Sequence, residues 1–361
     1  MTSRRLVVGI AAVAAVLLLV SALFGQFQGG PGTPVRRAFA EAGPGYYAVA
    51  IRNEGSFDTI LAVNPADPGT VREAATISHL NGYTSFGAVS PTGDAIALVV
   101  ADSGSQANPI ASLYRADLAT GAVTLLASGI DYLQQPIWTP DGASVLVSRS
   151  DSQDSPSVGI SILRASATGS GTDELLRLEA VAAAYPVGFD AGGTPLIVAI
   201  EQRGSVLHRP GRPDVILSPN ITRDWRTSPG GGQLAFIEAD LSNGLQYRLS
   251  VVALSESAAV ASAQSLPAAS SQQQLGVAWP PAGDRPLTAE EPLSGQARAA
   301  SGPAAGFDIP LGFSPDGSNL VVEAWTGTSF ESPGLGRLEI TGNGGRLALA
   351  GANRFAGWVV R

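Results

Sequence analysis

Short apolar runs separated by clusters of Gly, Pro, Ser and Asp fill most of the chain after residue 45. The runs IALVV at 96–100, VLV at 145–147 and LVV at 320–322 have the length and the β-branched content of strands. The 43 Gly and 25 Pro residues interrupt any longer helical pattern. The pattern therefore predicts an all-β fold of many short strands joined by tight turns.

A repeated motif combines an apolar or aromatic residue, a tight turn and then an apolar run. Clear copies are VSPTG at 89–93, WTPDG at 138–142 and FSPDG at 313–317. In these turns Pro fixes the first corner, the Asp of WTPDG and FSPDG hydrogen-bonds to nearby backbone, and Gly accepts the positive φ that reverses the chain. Each copy therefore predicts a hairpin, and its Asp has a structural role.

Looser copies extend the repeat over the whole chain after residue 45. Successive copies are separated by about 45 residues, which is the length of a four-stranded propeller blade. The pattern predicts a seven-bladed β-propeller, and a six-bladed ring is the alternative because residues 288–306 show little strand pattern. The seven predicted anchor residues are Val89, Trp138, Phe189, Trp225, Trp279, Phe313 and Trp358.

The two ends of this region complement each other. Residues 46–51, 59–63 and 70–75 form three predicted strands with no inner strand before them, whereas residues 354–360 form one strand with no blade after it. Pairing the last strand with the first three would complete a blade and close the ring without an unpaired sheet edge.

The N-terminal region predicts a membrane anchor. Residues 6–24 carry no charge and, as a helix, would span about 28 Å, close to the thickness of a bilayer core. Arg4 and Arg5 precede this run and favour a short cytoplasmic tail, residues 1–5, with the remainder outside the cytoplasmic membrane. Residues 25–44 are rich in Gly and Pro and predict a linker to a propeller at 45–361. The alternative is a cleaved signal peptide and a secreted protein.

Composition excludes several classes of function. All 22 basic residues are Arg and there is no Cys, which excludes lysine-dependent and thiolate chemistry. The net charge of −8 disfavours nucleic-acid binding. The two histidines, His79 and His208, stand alone in polar stretches and are expected in surface loops. No metal site or cofactor is predicted.

The FSPDG and WTPDG motifs with their following apolar strands resemble the repeat of TolB-type, WD-repeat-like bacterial propellers. The resemblance covers residues 45–361 and implies an exported propeller, often one that binds protein. It is specific for fold rather than function. No separate α/β domain precedes the predicted propeller, and no Gly-x-Ser-x-Gly motif of a serine peptidase occurs.

These observations predict an anchored binding module that recognises a protein or an envelope polymer at one mouth of the channel. The alternative is a propeller enzyme of the lyase, lactonase or glycosidase type, which would use carboxylates at the same mouth. Polar residues that precede or begin the innermost strands should meet at this mouth. These candidate ligand-binding residues are Asp131, Gln134, Gln135, Tyr185, Arg223, Asp224, Gln274, Asp308 and Arg354.

Overall fold

Successive antiparallel sheets follow one another along nearly the whole chain. The computed structural model describes residues 35–151, 159–240, 245–254, 264–265, 273–283, 285–291, 306–327, 329–342, 345–349 and 351–361. The predicted tail and anchor, residues 1–24, lie outside these ranges. Within the described ranges, no helix is long and apolar enough to cross a bilayer.

The described residues form 27 strands and one short 3-10 helix, Phe39–Glu41. In chain order the strands are β1 (Val35–Ala38), β2 (Tyr46–Asn53), β3 (Phe57–Val63), β4 (Thr70–Ser78), β5 (Phe86–Val89), β6 (Ala95–Gly104), β7 (Pro109–Asp117), β8 (Val123–Ile130), β9 (Ile137–Trp138), β10 (Ser144–Ser150), β11 (Ile160–Ser166), β12 (Thr172–Leu178), β13 (Ala183–Phe189), β14 (Pro195–Glu201), β15 (Gly204–His208), β16 (Val215–Ser218), β17 (Ile221–Thr227), β18 (Gln233–Asp240), β19 (Gln246–Ala253), β20 (Gln264–Ser265), β21 (Gln273–Ala278), β22 (Leu287–Glu291), β23 (Phe307–Phe313), β24 (Asn319–Trp325), β25 (Gly336–Gly342), β26 (Gly345–Ala348) and β27 (Arg354–Val360).

These strands form sheets arranged around a ring. Within the described residues, the sheets are β27-β2-β3-β4-β1, β5 to β8, β9 to β12, β13 to β16, β17 to β20, β21-β22 and β23 to β26. The first strand of each sheet contacts the first strand of the next, so these inner strands surround the axis. The propeller class is confirmed, with six sheets of four or five strands and a two-stranded sheet at the weakest predicted unit.

The hydrophobic core is divided between neighbouring blades. The β6 strand is buried from Ala95 to Ala101, because one side packs on β2 and β3 and the other on β10 and β11. A strand covered on both sides needs apolar residues at every position, which explains the unbroken apolar runs in the sequence. Similar clusters lie between the following sheets.

The C-terminal strand closes the ring as predicted. In β27, Val360 pairs with Tyr46 and Arg354 pairs with Ile51 across an antiparallel ladder with β2. Gly45 and Arg361 exchange both backbone hydrogen bonds at the end of this ladder, at 3.1 and 3.0 Å. The first and last parts of the described chain thus share one blade.

Three tryptophans join neighbouring blades. The indole nitrogens of Trp138, Trp279 and Trp358 donate hydrogen bonds to the backbone oxygens of Ala88, Arg226 and Gly312, each on the preceding inner strand. This repeated bond explains why the anchor position recurs in the sequence. Trp225 is an exception and a correction to the predicted set, because its indole nitrogen donates to Thr222 in its own strand instead.

The fold begins earlier than the predicted boundary at residue 45. The β1 strand pairs in parallel with β4, and Phe39 is only 1% exposed in the core of the first blade. Residues 35–44, predicted as linker, are therefore part of the folded body. The backbone of β1 pairs with the outer edge of β4, which would otherwise lie open.

Candidate functional site

Polar and aromatic side chains converge at one end of the ring, where the inner strands begin. We call this end the mouth face, and the opposite end, where the inner strands finish in the Ser/Thr-Pro turns, the turn face. Loops from the outermost strand of one blade to the inner strand of the next cross the mouth face. Each blade therefore brings its loop to the same opening.

Arg354 begins the inner strand of the closing blade and reaches the neighbouring blade. Its guanidinium carbon lies 3.7 Å from the centroid of the Phe86 ring, a cation–π contact. Its Nε atom is buried without a hydrogen-bond partner among the described residues. Burial raises the pKa of the neighbouring Tyr132 to about 12, although the positive charge of Arg354 opposes this rise. The hydroxyl of Tyr132 donates to the Thr84 carbonyl at 2.7 Å.

Glu323 on β24 interacts with charged groups from several blades. Burial raises its pKa and the negative charge of Asp224 adds to the rise, whereas a hydrogen bond with Trp325 and the guanidinium groups of Arg354 and Arg223 oppose it. Within the described part of the chain, neither Glu323 nor Arg354 takes part in an ion pair. Arg354 and Arg223 are far apart in the sequence, but both lower the pKa of the same carboxyl group.

Arg223 and Asp224 contribute from the β17 blade. Their side chains form an ion pair of 3.2 Å and remain 40% and 28% exposed. The guanidinium of Arg223 also lies 5.9 Å from the Tyr247 ring centroid. Asp224 has φ of 53°, a left-handed conformation that is uncommon outside glycine. This local distortion accompanies a break in the ladder between Arg223 and Arg226.

Asp131 and Tyr185 extend the site on the other side of the opening. Asp131 accepts hydrogen bonds from the backbone and hydroxyl of Ser150, at 3.0 and 2.9 Å. Burial raises the pKa of Tyr185, and the charge of Asp131 adds to the effect. The Tyr185 ring stacks on Trp225 with a centroid distance of 5.5 Å. Because Tyr185 lies on β13 and Trp225 on β17, Trp225 also contacts the neighbouring blade, through its ring rather than through its indole nitrogen.

Three predicted residues hold the blades instead of facing the opening. Gln134 bonds the backbone of Ser148 through both its amide oxygen and nitrogen, and Gln274 accepts from the Leu249 amide at 2.8 Å. Asp308 accepts two hydrogen bonds of 2.7 Å from the guanidinium of Arg346.

These three residues are 4%, 2% and 5% exposed, so their side chains contribute to the packing of the blades, and contact with a ligand stays a prediction for them. Gln135 is half-buried in the loop before β9.

The turn face shows that the motif carboxylates are structural. Thr139 donates to Asp141 and Ser314 donates to Asp316, each at 2.6 Å, and these bonds are the main cause of the lowered pKa of both carboxyls. Gly142 follows the first of these carboxylates with φ of 70°, as the turn requires. The motif is therefore explained by turn geometry.

Neither histidine lies free in a surface loop, which corrects the expectation from the sequence. His79 is buried, and its Nε2 lies 3.1 Å from Asp58 while its Nδ1 lies 2.7 Å from the Leu80 carbonyl oxygen. His208 lies between the carboxylates of Glu201 and Asp214, both at 2.8 Å. At neither site, nor elsewhere in the described ranges, do three or more such side chains group so that they could hold a metal ion.

Sequence patterns did not single out several residues of the mouth. Glu323 lies in the second strand of its blade, and no sequence motif marks the aromatic residues Phe86, Tyr132 and Tyr247. Their common feature is a position near the mouth end of a strand or in the loop that leads to it. The sequence could have identified these residues by that position only if the strand boundaries had been known.

Comparison with known proteins gives a result at the level of fold. No family model matches the chain, and no curated protein matches it in sequence. TolB from Acinetobacter baumannii is similar in structure, with a TM-score of 0.50 and 15% identity over 87% of this chain and 66% of that chain. The chain is a TolB-like β-propeller in fold.

Two further solved structures extend the likeness. The β-propeller domain of the Trilobed protease from Pyrococcus furiosus has a TM-score of 0.52 and 11% identity, covering 86% of this chain and 99% of that domain. Prolyl oligopeptidase B from Galerina marginata has a TM-score of 0.56 and 11% identity, over 83% of this chain and 48% of that protein. The chain thus spans just under two thirds of TolB and about half of the oligopeptidase. The Pyrococcus domain is described as having an open velcro topology, whereas β27 pairs with β2 here.

Proposed function

We propose that this protein is an extracytoplasmic binding module, held at the membrane by residues 6–24, whose mouth face binds a polypeptide segment of a partner protein. The observation that carries the proposal is the convergence of Arg354, Arg223, Tyr185, Trp225 and Glu323 at one opening. Tyr, Trp and Arg are the residues that most often dominate the energy of protein interfaces.

The charges at the mouth fit a polypeptide. Arg354 has a buried Nε without a hydrogen-bond partner among the described residues, and Glu323 bonds Trp325 but takes part in no described ion pair. A peptide backbone carries both an N–H donor and a carbonyl acceptor, so it can satisfy both groups at once. The aromatic rings beside them supply apolar contact area at low conformational cost.

The test is capture of partners by the detergent-solubilised full-length chain. Arg223→Ala removes an exposed arginine of the mouth, whereas Arg337→Ala removes an arginine that is 60% exposed on the outer β25 strand. We expect the first variant to bind its captured protein about 10-fold more weakly and the control to bind normally, because truncating an interface arginine typically costs more than 1 kcal/mol.

Other results would contradict this proposal. Equal binding by both variants would exclude the mouth, and loss only in Arg337→Ala would favour an outer blade face. Capture of a polysaccharide instead of a protein would replace the proposed partner with an envelope polymer. Thermal unfolding of each variant checks that the propeller is intact.

A second candidate function is hydrolysis or elimination at the same mouth. The specific observation is that burial raises the pKa of Glu323, with the charge of Asp224 adding to the rise, since a carboxyl group with a raised pKa can serve as the general acid of such reactions. Assaying the chain against a panel of glycosides and lactones tests it. Activity that Glu323→Gln abolishes would support this function, and a lack of turnover would exclude it for these substrates.

A further inference from the structure

The N-terminal part of the chain joins the propeller at the turn face. In β1, Val35 pairs with Thr70, the first residue of β4, and the register then runs in parallel to Ala38 and Glu73. The β4 strand begins at the turn face and ends at Ser78 on the mouth face. The residues before Val35 therefore approach from the turn face.

This attachment is firmly packed. Phe39 follows β1 directly and packs edge-on against Tyr47 with a centroid distance of 5.5 Å. The guanidinium carbon of Arg361 lies 4.5 Å from the centroid of the Phe39 ring. Because both partners belong to the closing blade, the attachment point is fixed to the ring.

We infer that the turn face is directed toward the membrane and that the mouth face points away from it. This inference rests on the proposed function, because it takes residues 6–24 as a retained anchor. Residues 25–34 connect the anchor to Val35 and reach at most about 35 Å when fully extended. An inverted propeller would require this segment to pass along a blade edge about 30 Å long, which leaves it almost no conformational freedom.

This orientation limits the kinds of partner that can reach the mouth face. A polypeptide that reaches the mouth face must extend into the space on the far side of the propeller from the bilayer. The fitting partner is therefore a soluble or envelope-borne protein, rather than a lipid headgroup or a short loop of a neighbouring membrane protein.

The test uses two cysteine variants of the full-length chain in phosphatidylcholine vesicles. Ala119→Cys lies in the exposed β7–β8 turn on the turn face, and Ala107→Cys lies in the exposed β6–β7 turn on the mouth face of the same blade. The chain has no other cysteine, so each variant takes one membrane-impermeant maleimide fluorophore. Energy transfer to an acceptor lipid then compares the two distances from the bilayer.

We expect a larger loss of donor emission at residue 119 than at residue 107, because the two turns are separated by about 30 Å along β7. Equal losses, or a larger loss at residue 107, would overturn the orientation. Flotation of the vesicles tests the anchor separately from the orientation. A chain that floats with the lipid is anchored, so only its orientation is then in question, whereas a chain that does not float refutes both the anchor and the orientation. Partner capture by Arg223→Ala tests the binding function independently of either result.

Discussion

The guanidinium carbon of Arg354 lies over the ring of Phe86, 3.7 Å from its centroid, and this contact connects the last strand of the chain to the blade that begins at β5. The contact exists only because β27 takes its place beside β2 and so brings Arg354 to the neighbouring inner strand. The same closure places Arg354 near Tyr132 and Glu323. Ring closure and the candidate site therefore depend on each other.

The Arg354–Phe86 contact should show measurable energetic coupling. In a double-mutant cycle with Arg354→Met and Phe86→Leu, we expect a coupling of about 1 kcal/mol in the free energy of unfolding, as for partly desolvated cation–π pairs. Denaturant unfolding of the four proteins measures it. Strictly additive effects would mean that the ring and the guanidinium do not interact in solution.

The closing strand should be essential for stability. Trp358→Ala should destabilise by about 3 kcal/mol, near the lower end for buried tryptophans because this side chain is half-exposed. Trp358→Phe keeps most of the packing and should lose only about 1 kcal/mol with the hydrogen bond to Gly312. Leu335→Ala, at a residue that is 70% exposed, is the control and should change stability by less than about 0.5 kcal/mol.

Deleting residues 354–361 should lower stability further, because it also uncovers the edge of β2. Thermal unfolding and light scattering of the truncated chain measure stability and aggregation. A truncated protein that melts at the same temperature as the complete one would show that the ladder with β2 does not form.

The buried pair of Asp58 and His79 should make stability depend on pH. Burial of the imidazole lowers its pKa, but the hydrogen bonds to Asp58 and Leu80 together with the charge of Asp58 outweigh this, so the pKa of His79 is raised above 6.5. A raised pKa in the folded state gives stabilisation that is complete below the unfolded pKa. It is lost as pH rises through the folded pKa.

We therefore expect the stability advantage of the natural chain over His79→Gln to decrease as the pH rises from below 6.5 through the raised pKa of His79. Chemical denaturation at several pH values measures both proteins. A difference that stays constant over this range would show that His79 does not change its protonation on unfolding.

Asp308 should be important for folding rather than for binding. Asp308→Asn removes one of the two negative charges that pair with the buried Arg346 guanidinium, the other being that of Glu339. It should lower the free energy of unfolding by about 3 kcal/mol. Asp173→Asn, at an exposed position of β12, should have almost no effect. If Asp308→Asn is as stable as the natural chain but loses its partner, Asp308 is a ligand-binding residue after all.

The sequence by itself determined the fold class and the way in which the ring closes. Turns such as WTPDG with Gly142 impose local geometry whatever lies around them, and the unbroken apolar run at 96–100 requires cover on both sides. The incomplete blade at each end needed the other as its partner, so β27 and β2 could be paired from pattern alone. These are local or edge-matching constraints, and each is written in a few consecutive residues.

Only the tertiary structure decided which polar residues face the opening. Gln134, Gln274 and Asp308 share the sequence position of mouth residues, but their side chains turn inward to bond Ser148, Leu249 and Arg346. Glu323 reaches the mouth from a second strand, and Trp225 leaves the anchor register where the β17 ladder is interrupted. The direction of a side chain depends on bulges, on neighbouring blades and on the partners that burial demands, and residues far away in the chain supply all of these.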